Sequence, residues 1–364
     1  MHTKVRRCRN CCQTEQRYRR CGNGTSASLA SLNRRRPKMK TPDFWQKDKG
    51  GWKACLLTPV ALLYAAGAGL RSWSTKPIHA GVPVLCVGNV TAGGTGKTPV
   101  VIALVRAARS MGIRVAVVSR GYGGRLEGPV KVDVARHQVS DVGDEPLLIA
   151  AHGETWVAKN RVAGARAAVA DGADFIILDD GFQNPTLHKD FSIIVVDGMF
   201  GFGNGRRFPA GPLREALPAA IRRADLILLM GRDDAGLTDS IGKDIPVERA
   251  ALRPKAPESL APGMKCVAFA GIGLPQKFFS TLRSLGVIVL AEHSFPDHFM
   301  YARGDLERLI SEARSLEATL VTTAKDYVRL PAEAAREVAV LEVDVDFENL
   351  DLPKRLIAQV LNHG

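Results

Sequence analysis

The sequence lacks several features that would place it in a special class of protein. It has only seven cysteines in 364 residues, and no second Cys or His pair lies at a zinc-finger spacing from Cys8-x-x-Cys11. This usage predicts neither a disulfide framework nor a zinc finger, and it fits a reducing cytoplasm. The first residues lack the apolar core of a secretory signal, so no such signal is expected. The longest apolar stretch has 17 residues, whereas a membrane-spanning helix needs about 20.

Acidic residues are scarce at the N-terminus, and this scarcity explains most of the net charge of +13. Residues 1–38 contain eleven basic side chains and a single acid, Glu15, so they carry +10 of that charge. The rest of the chain is only mildly basic, and we therefore expect no nucleic-acid partner. Residues 1–38 also lack periodic apolar positions, which predicts a disordered basic extension. Met39 offers an alternative start of the protein.

The second segment, residues 39–80, contains the apolar stretch Ala54–Leu70. Pro59 and two glycines interrupt this stretch, and Trp52 and Trp73 lie at its ends beside a lysine and an arginine. Flanking tryptophans and cations are typical of a helix or hairpin that lies in one leaflet of a membrane. The alternative is a helix buried in the protein core. We expect a membrane-associated helical segment that does not cross the bilayer.

From Pro83 onward, short apolar strands alternate with helical patterns, which predicts a mostly parallel α/β sheet covered on both faces. The predicted parts are a first domain over 81–240, a linker over 241–262 and a smaller α/β domain over 263–364. In the first domain, strands are predicted at 83–87, 114–118, 154–158, 175–178, 193–196 and 226–229, and helices at 98–110, 143–152 and 160–170. In the second domain, strands are predicted at 265–270, 287–291, 318–322 and 338–343, and helices at 275–285, 304–315 and 351–362.

The most informative stretch joins an apolar strand to a helix through a glycine-rich loop that ends in Gly96-Lys97-Thr98. This order is that of a phosphate-binding loop, in which backbone N–H groups and the helix N-terminus hold phosphate oxygens. In such loops the lysine reaches the β- and γ-phosphates, and the threonine hydroxyl binds Mg²⁺. Thr91 stands where the strict pattern has a glycine, and a glycine-rich turn that binds nothing is the alternative. The predicted nucleotide-binding residues are Gly93, Gly94, Thr95, Gly96, Lys97 and Thr98.

Two consecutive acids, Asp179 and Asp180, follow another apolar strand. In enzymes with a phosphate-binding loop, such a strand lies beside the loop and brings an aspartate to Mg²⁺. Neighbouring residues of a strand point to opposite faces, so we expect one acid to bind the metal unless the strand has already ended. A solvated turn is the alternative. Arg120 and Arg125, in the glycine-rich turn after a further strand, are candidate phosphate ligands, or simply part of a surface turn.

Three further places carry candidate site residues. Asp144 opens a predicted helix, where an N-cap is the common role of an aspartate. His298 follows Asp297 in a turn of the second domain, a position that suits acid–base chemistry, although a single histidine is more often structural. The glycine-rich loop over 197–215 contains several cations suited to a phosphate or a substrate, while its aromatic residues could instead pack against the core.

Together these motifs resemble those of the tetraacyldisaccharide 4′-kinase family, the lipid A 4′-kinases of Gram-negative bacteria. The matching segments keep their order from about Thr41 to the C-terminus, Thr91 looks like a family trait, and residues 1–38 have no counterpart. The motifs that carry the resemblance are Gly88-Asn89 through Gly-Gly-x-Gly-Lys-Thr-Pro99, Ser119-Arg-Gly-Tyr-Gly123, Gly143-Asp-Glu-Pro146, Asp179-Asp-Gly-Phe-Gln183, Gly201-x-Gly-Asn-Gly205, Pro209-Ala-Gly-Pro-Leu-Arg-Glu215, Phe295-x-Asp-His298 and Thr322-Thr-Ala-Lys-Asp326.

The resemblance implies an α/β, P-loop NTPase-like fold, in which two α/β/α domains are joined by a β linker and the active site lies between them. It implies transfer of the γ-phosphoryl group of ATP to the 4′-hydroxyl of a tetraacyl glucosamine disaccharide 1-phosphate, which gives lipid IVA. It also implies a monotopic protein on the cytoplasmic face of the bacterial inner membrane. The apolar segment within residues 39–80 points to the membrane surface independently.

The resemblance further implies ATP and Mg²⁺ as cofactors. Lys97 and the loop amides are assigned to ATP. Thr98 and one acid of the pair Asp179 and Asp180 are assigned to Mg²⁺. Both assignments agree with the interpretation of the loop and the acid pair from their own residues.

The remaining roles concern the phosphate acceptor. Asp144, supported by His298, is expected to take the proton of the sugar hydroxyl. Glu215 either orients an arginine or contacts the metal. The predicted substrate ligands are Arg120, Arg206, Arg207 and Arg214.

A regulatory ATPase or GTPase switch with a phosphate-binding loop is the alternative function. A guanine-binding switch should contain Asn-Lys-x-Asp, and the stretch Ala324-Lys325-Asp326 does not match that pattern. The sequence therefore favours a kinase over a GTPase switch.

Overall fold

The computed structural model of the protein describes residues 42–46, 51–73, 75–241 and 245–363, with the backbone alone at 63–73, 239–240 and 363. These residues all belong to one compact unit of the chain, Lys40–Gly364. The predicted basic extension over 1–38 lies outside the described residues, as does Met39.

The strands found in the described residues form one mixed sheet. They are β1 (Val84–Gly88), β2 (Val115–Ser119), β3 (Val130–Lys131), β4 (Glu154–Val157), β5 (Phe175–Asp179), β6 (Phe191–Asp197), β7 (Leu226–Met230), β8 (Val247–Lys255), β9 (Lys265–Ala270), β10 (Ile288–Ser294), β11 (Thr319–Thr323) and β12 (Val338–Phe347). Their order is β10-β9-β11-β12-β8-β7-β6-β1-β5-β2-β4-β3. Only the pairs β8–β12 and β3–β4 run antiparallel among these described strands. Every predicted strand is present, and β3 and β8 are additional.

Helices follow most strands and cover the sheet. They are α1 (Gly51–Trp73), α2 (Lys97–Ser110), α3 (Val139–Val142), α4 (Asp144–Ala150), α5 (Arg161–Ala170), α6 (Leu217–Ile221), α7 (Leu237–Ile241), α8 (Pro275–Ser284), α9 (Arg303–Ser315), α10 (Ala324–Tyr327), α11 (Ala332–Ala335) and α12 (Leu352–His363). Short 3₁₀ turns lie at Asp43–Trp45 and Glu258–Leu260.

The strands at the centre of the sheet are buried along their whole length. Every residue of β1, β2, β5 and β7 is buried, as expected for parallel strands with helices on both faces. On one face, Val101 and Leu104 of α2 share an apolar cluster with Phe175 of β5. On the other face, α5 contributes Val162 and Ala165 to a second cluster. These two cores fix the carboxyl ends of the strands, where the candidate site lies.

The second group of strands is centred on β9 and has its own apolar clusters. Phe279 of α8 lies in the cluster on one face, and Leu309 of α9 lies in the cluster on the other. The antiparallel pair β8–β12 connects this group to the first, because β8 also runs parallel to β7. This pair supplies the predicted β linker. The sheet continues through the pair, so the exact domain boundaries stay a prediction.

The last helix packs differently from the sequence prediction, which assigned it to the second domain. Leu356 and Val360 of α12 lie in the same apolar cluster as Val101 and Leu104 of α2. The chain thus returns from the second group of strands to the first. The C-terminal helix α12 therefore packs against α2, the helix that begins at the phosphate-binding loop.

Helix α1 is continuous through Pro59. Ala54 and Ala61 are buried on one side, whereas Trp52 and Leu56 are 71% and 69% exposed. Nowhere in the described parts of the chain is a helix both long and apolar enough to cross a membrane. The predicted helical segment is therefore present, and its association with a membrane stays a prediction.

Candidate active site

The phosphate-binding loop runs from the end of β1 to the start of α2. Asn89 is buried behind the loop, and its Nδ2 donates to the carbonyl oxygen of Thr91 at 2.8 Å. Gly93 and Gly96 have φ angles of 133° and 84°, which favour glycine because a Cβ atom is disfavoured there. Gly96 is the N-cap of α2, so Lys97 begins the helix at its positive end. The strand, loop and helix predicted from the sequence are all present.

The glycine-rich loop over 197–215 is hydrogen-bonded to the phosphate-binding loop. Thr91 forms an antiparallel bridge with Leu213 and is buried. The N–H of Ala92 donates to the carbonyl oxygen of Pro212 at 2.8 Å, and the N–H of Arg214 donates to the carbonyl oxygen of Val90 at 2.8 Å. The position that departs from the strict glycine pattern thus anchors the cation-bearing loop beside the predicted phosphate site.

Asp180 is the shared partner of two cations at this site. Lys97 Nζ lies 3.3 Å from Asp180 Oδ1, and Arg214 Nη1 lies 3.1 Å from Asp180 Oδ2. Strand β5 ends at Asp179, and Asp180 has a φ angle of 48°, so strand geometry does not force the two acids onto opposite faces. Burial raises the pKa of Asp180, but Lys97 and Arg214 outweigh that effect and hold this pKa below its usual range.

Asp179 has unused hydrogen-bonding capacity. Ser119 Oγ donates to Asp179 Oδ2 at 2.9 Å, but Asp179 Oδ1 is buried and has no hydrogen-bond partner within the described chain. Burial, reinforced by the nearby charges of Glu145 and Asp180, raises the pKa of Asp179 to about 7. A buried carboxylate oxygen without a donor suits a divalent cation, for which oxygen is the preferred ligand atom. Asp179, on the strand paired with β1, therefore fits the predicted Mg²⁺ site, as does the buried hydroxyl-bearing side chain of Thr98.

Glu215 has partners that favour one of its two predicted roles. Its carboxylate accepts from Gln183 Nε2 at 3.1 Å and from the Arg223 guanidinium. Orientation of an arginine is therefore favoured over contact with the metal.

Asp144 and His298 meet directly. Gly143, with a φ angle of 91°, is the N-cap of α4, and Asp144 is the first helical residue. The interpretation of Asp144 as the N-cap is therefore wrong, because glycine adopts the conformation that this helix start requires. Asp144 Oδ2 lies 2.8 Å from His298 Nδ1 and also accepts a hydrogen bond from Arg329. The structure thus brings the two predicted catalytic residues together.

The two side chains differ in access and charge. Asp144 is 3% exposed at its side chain, whereas His298 is 31% exposed. Burial raises the pKa of Asp144, but the hydrogen bond from His298 and the charge of Arg329 hold this pKa well below its usual range. Asp144 is therefore a carboxylate that orients the imidazole through Nδ1. The other ring nitrogen, Nε2, lies 3.6 Å from Asp297 Oδ2, beyond hydrogen-bond distance.

Arg329 contacts the carboxylate of this pair and was not among the residues predicted from the sequence. Its Nη1 donates to the carbonyl oxygen of Gly271 at 2.8 Å and to Asp326 Oδ1 at 3.0 Å. The same Asp326 oxygen accepts from the Tyr301 hydroxyl at 2.9 Å. Both Arg329 and Asp326 are almost fully buried at their side chains. The only sequence signal was the spacing of three residues between Asp326 and Arg329 at the end of a quoted motif.

The other predicted substrate arginines lie in two places. Arg206 Nη1 donates to Thr58 Oγ of α1 at 3.0 Å. Arg206 and Arg207 line a groove between α1 and the glycine-rich loop, together with Leu62 of the helix. Arg120 is exposed after β2, whereas Arg214 lies at the acid pair. A groove with cations on one side and an apolar helix on the other suits a phosphorylated lipid.

A further buried cation was missed. Burial, followed by the charge of nearby Arg120, lowers the pKa of Arg161 to about 10. Arg161 Nη1 donates to the carbonyl oxygen of Ala158 at 2.7 Å, but its Nε is buried without a partner. An arginine at the start of a helix is ordinary in sequence, so no pattern marked it.

Comparison with known proteins decides the family. A family model described as tetraacyldisaccharide-1-P 4′-kinase matches residues 53–362. The chain belongs to this family. A tetraacyldisaccharide 4′-kinase of Rhodospirillum centenum is 48% identical over 329 residues, which cover 89% of this chain and 97% of that protein. One from Dinoroseobacter shibae is 53% identical over 314 residues, covering 84% and 93%.

A solved structure supports the same conclusion. The crystal structure of LpxK from Aquifex aeolicus in complex with ATP has a TM-score of 0.68 and 27% identity, and the match covers 85% of this chain and 99% of that one. Membership in the tetraacyldisaccharide 4′-kinase family confirms the resemblance, the P-loop kinase fold and the prediction of an ATP-dependent lipid A 4′-kinase. The alternative of a regulatory switch is not favoured. The roles of the individual residues stay predictions.

Proposed function

We propose that the protein transfers the γ-phosphoryl group of ATP to the 4′-hydroxyl of a tetraacyl glucosamine disaccharide 1-phosphate, with His298 and Asp144 acting as one unit. The observation that carries this proposal is the 2.8 Å contact between His298 Nδ1 and Asp144 Oδ2. It places an oriented, partly exposed imidazole at the carboxyl edge of the sheet, where ligands of open α/β sheets bind.

We assign the roles of the pair differently from the prediction made from the sequence. Asp144 is buried, ionised and already bound by three donors, namely the His298 ring, the Arg329 guanidinium and the N–H of Glu145, so it is a poor proton acceptor but a good orienter of the ring. His298 Nε2 is the nitrogen left to accept the proton of the sugar hydroxyl. As the hydroxyl oxygen bonds to the γ-phosphorus, its proton moves to Nε2, the bridging P–O bond breaks and ADP leaves. This is the arrangement of the serine-protease triad, in which a buried carboxylate orients the base.

The phosphate groups of ATP would lie against the loop amides and the N-terminus of α2. Lys97, which pairs with Asp180 at 3.3 Å, would exchange that partner for the β- and γ-phosphates. Such a transfer depends mainly on positioning and on neutralising charge. The chain places Lys97 and Arg214 on the same acid, so both cations are already near the reacting groups.

Mg²⁺ would be held by Asp179 and Thr98. The support is the unpartnered, buried Oδ1 of Asp179 and the position of Thr98 in the first turn of α2. When bound, the ion would neutralise negative charge on the transferred phosphoryl group. Asp180 would keep Arg214 as its partner rather than become a metal ligand.

The lipid would enter along helix α1 at a membrane surface, and we place the protein at the cytoplasmic face of the bacterial inner membrane. The support is the exposed apolar face of α1, where Trp52, Leu56 and Val60 are 71%, 69% and 52% exposed, together with the groove that Arg206 and Arg207 line beside it. A substrate with four acyl chains stays in the bilayer, so the enzyme must meet it there.

A double-mutant cycle tests the catalytic proposal. We would measure kcat of His298→Ala, Asp144→Ala and the double variant with ATP and the acylated disaccharide 1-phosphate in detergent. A positioned base contributes about 10²–10⁴-fold, so each single variant should lose activity strongly, and the double variant should be little worse than the more damaged single one. Added imidazole should rescue His298→Ala and not Asp144→Ala. Fully multiplicative losses, or rescue of neither variant, would contradict the proposed unit.

A sedimentation assay tests the membrane proposal. Leu56→Ser combined with Val60→Ser should shift the protein from the pellet of anionic phospholipid vesicles to the supernatant, because it removes apolar surface from the exposed face of α1. Leu350→Ser is the matched control, since Leu350 is 80% exposed away from α1, and it should change nothing. Equal vesicle binding of all three proteins would locate the membrane contact elsewhere.

A further inference from the structure

A second cluster of potential ligands lies at the opposite edge of the sheet from the phosphate-binding loop. His188 and Asp190 directly precede β6, and His79 lies in the segment between α1 and β1. The phosphate-binding loop follows the far end of β1, which at five residues spans roughly 16 Å. Across the described residues, these three side chains form the only group of His, Cys, Asp or Glu whose donor atoms converge for a metal.

The two imidazoles are brought together by backbone pairing. Ile78 and Leu187 form a parallel bridge. The N–H of Ile78 donates to the carbonyl oxygen of Thr186 at 2.9 Å, and the N–H of His188 donates to the carbonyl oxygen of Ile78 at 2.9 Å. His79 and His188 each follow a bridged residue, and their rings stack with centroids 3.9 Å apart and an angle of 28°. The pair is therefore set by the fold.

The carboxylate of the cluster is also oriented. Asp190 Oδ2 accepts a hydrogen bond from the N–H of Val84 at 2.7 Å, which leaves Oδ1 toward His188. Such a hydrogen bond on the outer oxygen is the usual support of a metal-ligating group. The N–H of Asp190 also donates to the carbonyl oxygen of Val84 at 2.9 Å, which fixes its backbone.

We propose that His79, His188 and Asp190 form a zinc-binding site that clips the segment before β1 to the loop before β6. His188 Nε2 lies 3.5 Å from Asp190 Oδ1, close to the about 3.3 Å that separates two ligands of a tetrahedral Zn²⁺ with bonds of about 2.0–2.1 Å. All three donor atoms lie within 4.8 Å of one another. His79 is exposed, so its ring can rotate inward to complete the set.

The donor chemistry selects the class of metal. Two imidazoles and one carboxylate suit zinc and similar transition ions, whereas Mg²⁺ prefers oxygen ligands alone. The site therefore does not compete with the acids at the phosphate-binding loop for the same ion. Three protein ligands leave a fourth position for solvent.

The position of the proposed zinc site indicates that zinc would affect stability. Residues 75–83 connect helix α1 to β1, and the loop after Asp180 runs to β6. A zinc ion shared by these two segments would fasten the connection of α1 to the sheet from the edge away from the nucleotide. The expected consequence is greater stability, without a part in the transfer reaction.

Zinc binding to the full-length chain tests the proposal. Equilibrium dialysis followed by metal analysis should show one zinc fewer per chain in His79→Ala, in His188→Gln and in Asp190→Asn than in the wild type. Asn at 190 keeps an oxygen for the Val84 N–H, so this variant removes the charge and not the backbone contact. His152→Gln is the matched control, because His152 lies on the described chain outside any such group, and it should bind as the wild type does. Any zinc held by cysteines elsewhere is the same in all these proteins.

A second readout concerns stability. Zinc should raise the Tm of the wild type and the control by roughly 3–6 °C and leave the three variants unmoved, as expected for a ligand that binds only the folded state. Excess Mg²⁺ should not displace the zinc, and kcat of the three variants should stay at the wild-type value. Equal zinc content in the wild type and His188→Gln, or an equal rise in Tm, would overturn the proposal and leave the kinase mechanism untouched.

Discussion

Asp144 and Asp179 are both buried carboxylates at the candidate site, yet their surroundings differ. Asp144 contacts His298 and Arg329, and the pKa of its carboxyl group lies well below the usual range. Asp179 accepts one hydrogen bond, from Ser119, and burial raises its pKa to about 7. Among the residues that the structure describes, the other oxygen of Asp179 has no hydrogen-bond partner.

The difference shows which of the two carboxylates has all its hydrogen-bond and charge partners within the protein. Asp144 has the charges and donors that a buried carboxylate needs, so it contributes to holding the chain together as well as orienting His298. Asp179 lacks them, and a buried unpaired oxygen costs stability unless something outside the chain supplies a positive charge. We therefore expect substitutions at the two centres to separate stability from activity.

The largest effect is expected from removing the cation behind Asp144. Arg329→Met should lower the free energy of unfolding by about 3–5 kcal/mol, because it leaves Asp144 and Asp326 buried without their shared partner. It should also lower kcat, since Asp144 then keeps only its contacts with His298 and the N–H of Glu145. Urea unfolding and steady-state kinetics measure the two effects.

The matched control for Arg329 is an arginine in an exposed ion pair. Arg114 pairs with Asp174 at 2.8 Å, and the two side chains are 70% and 51% exposed. Exposed pairs contribute little because solvent screens them, so Arg114→Met should change stability far less. Similar losses for the two variants would mean that the buried network is not a special source of stability.

The next effect should appear in activity alone. Asp179→Asn keeps an oxygen acceptor for Ser119 Oγ and removes the charge expected to bind Mg²⁺. We expect kcat to fall by roughly 10²–10³-fold, since a metal Lewis acid is worth several kcal/mol. The free energy of unfolding should stay the same or rise, because a buried charge is lost. Destabilisation together with near-normal kcat would show that Asp179 is a structural acid.

Much of this site was predictable because its signals are local. The loop from Gly93 to Thr98 sits between a strand and a helix whose apolar patterns are unmistakable, and the structure places it there. Asp144 and His298 were named as a catalytic pair because the motifs that contain them resemble those of the kinase family. Local sequence therefore indicates which residues are unusual.

Long-range contacts were not predictable in the same way. Arg329 is one of many arginines, and its role depends on meeting Asp144 from a distant part of the chain. The alternative role of Asp144 as a helix cap does not apply, because the backbone at Gly143 decides where the helix begins. Leu356 packs in the same apolar cluster as α2, and this contact depends on the position to which the last strand, β12, leads the C-terminal helix. A contact between residues that are far apart in the chain cannot be predicted from a few neighbouring residues.

The smallest effect we expect is a dependence of stability on pH that belongs to Asp144. Its folded-state pKa lies below the ordinary value of 3.8, so the unfolded chain takes up its proton first as the pH falls. The stabilisation from Asp144 is therefore complete above about pH 5 and is lost as the pH falls toward the folded-state pKa. Asp144→Asn keeps an oxygen for His298 and Arg329 but not the charge. It should unfold more easily at pH 6 by about 1.5–3 kcal/mol, the value of a hydrogen bond to a charged group.

Urea unfolding of the wild type and Asp144→Asn between pH 7 and pH 3 measures this dependence. The difference in the free energy of unfolding between the two proteins should narrow below about pH 4. In that range the Asp144 carboxylate of the unfolded wild type takes up a proton before that of the folded wild type, which favours unfolding. Asp174→Asn is the control: Asp174 pairs with Arg114 at 2.8 Å on the surface, with side chains 51% and 70% exposed, and such pairs have little effect on stability. A gap that stays constant down to pH 3 would show that Asp144 acts in the fold through its shape and hydrogen bonds alone, and the contrast with Asp179 would then concern activity only.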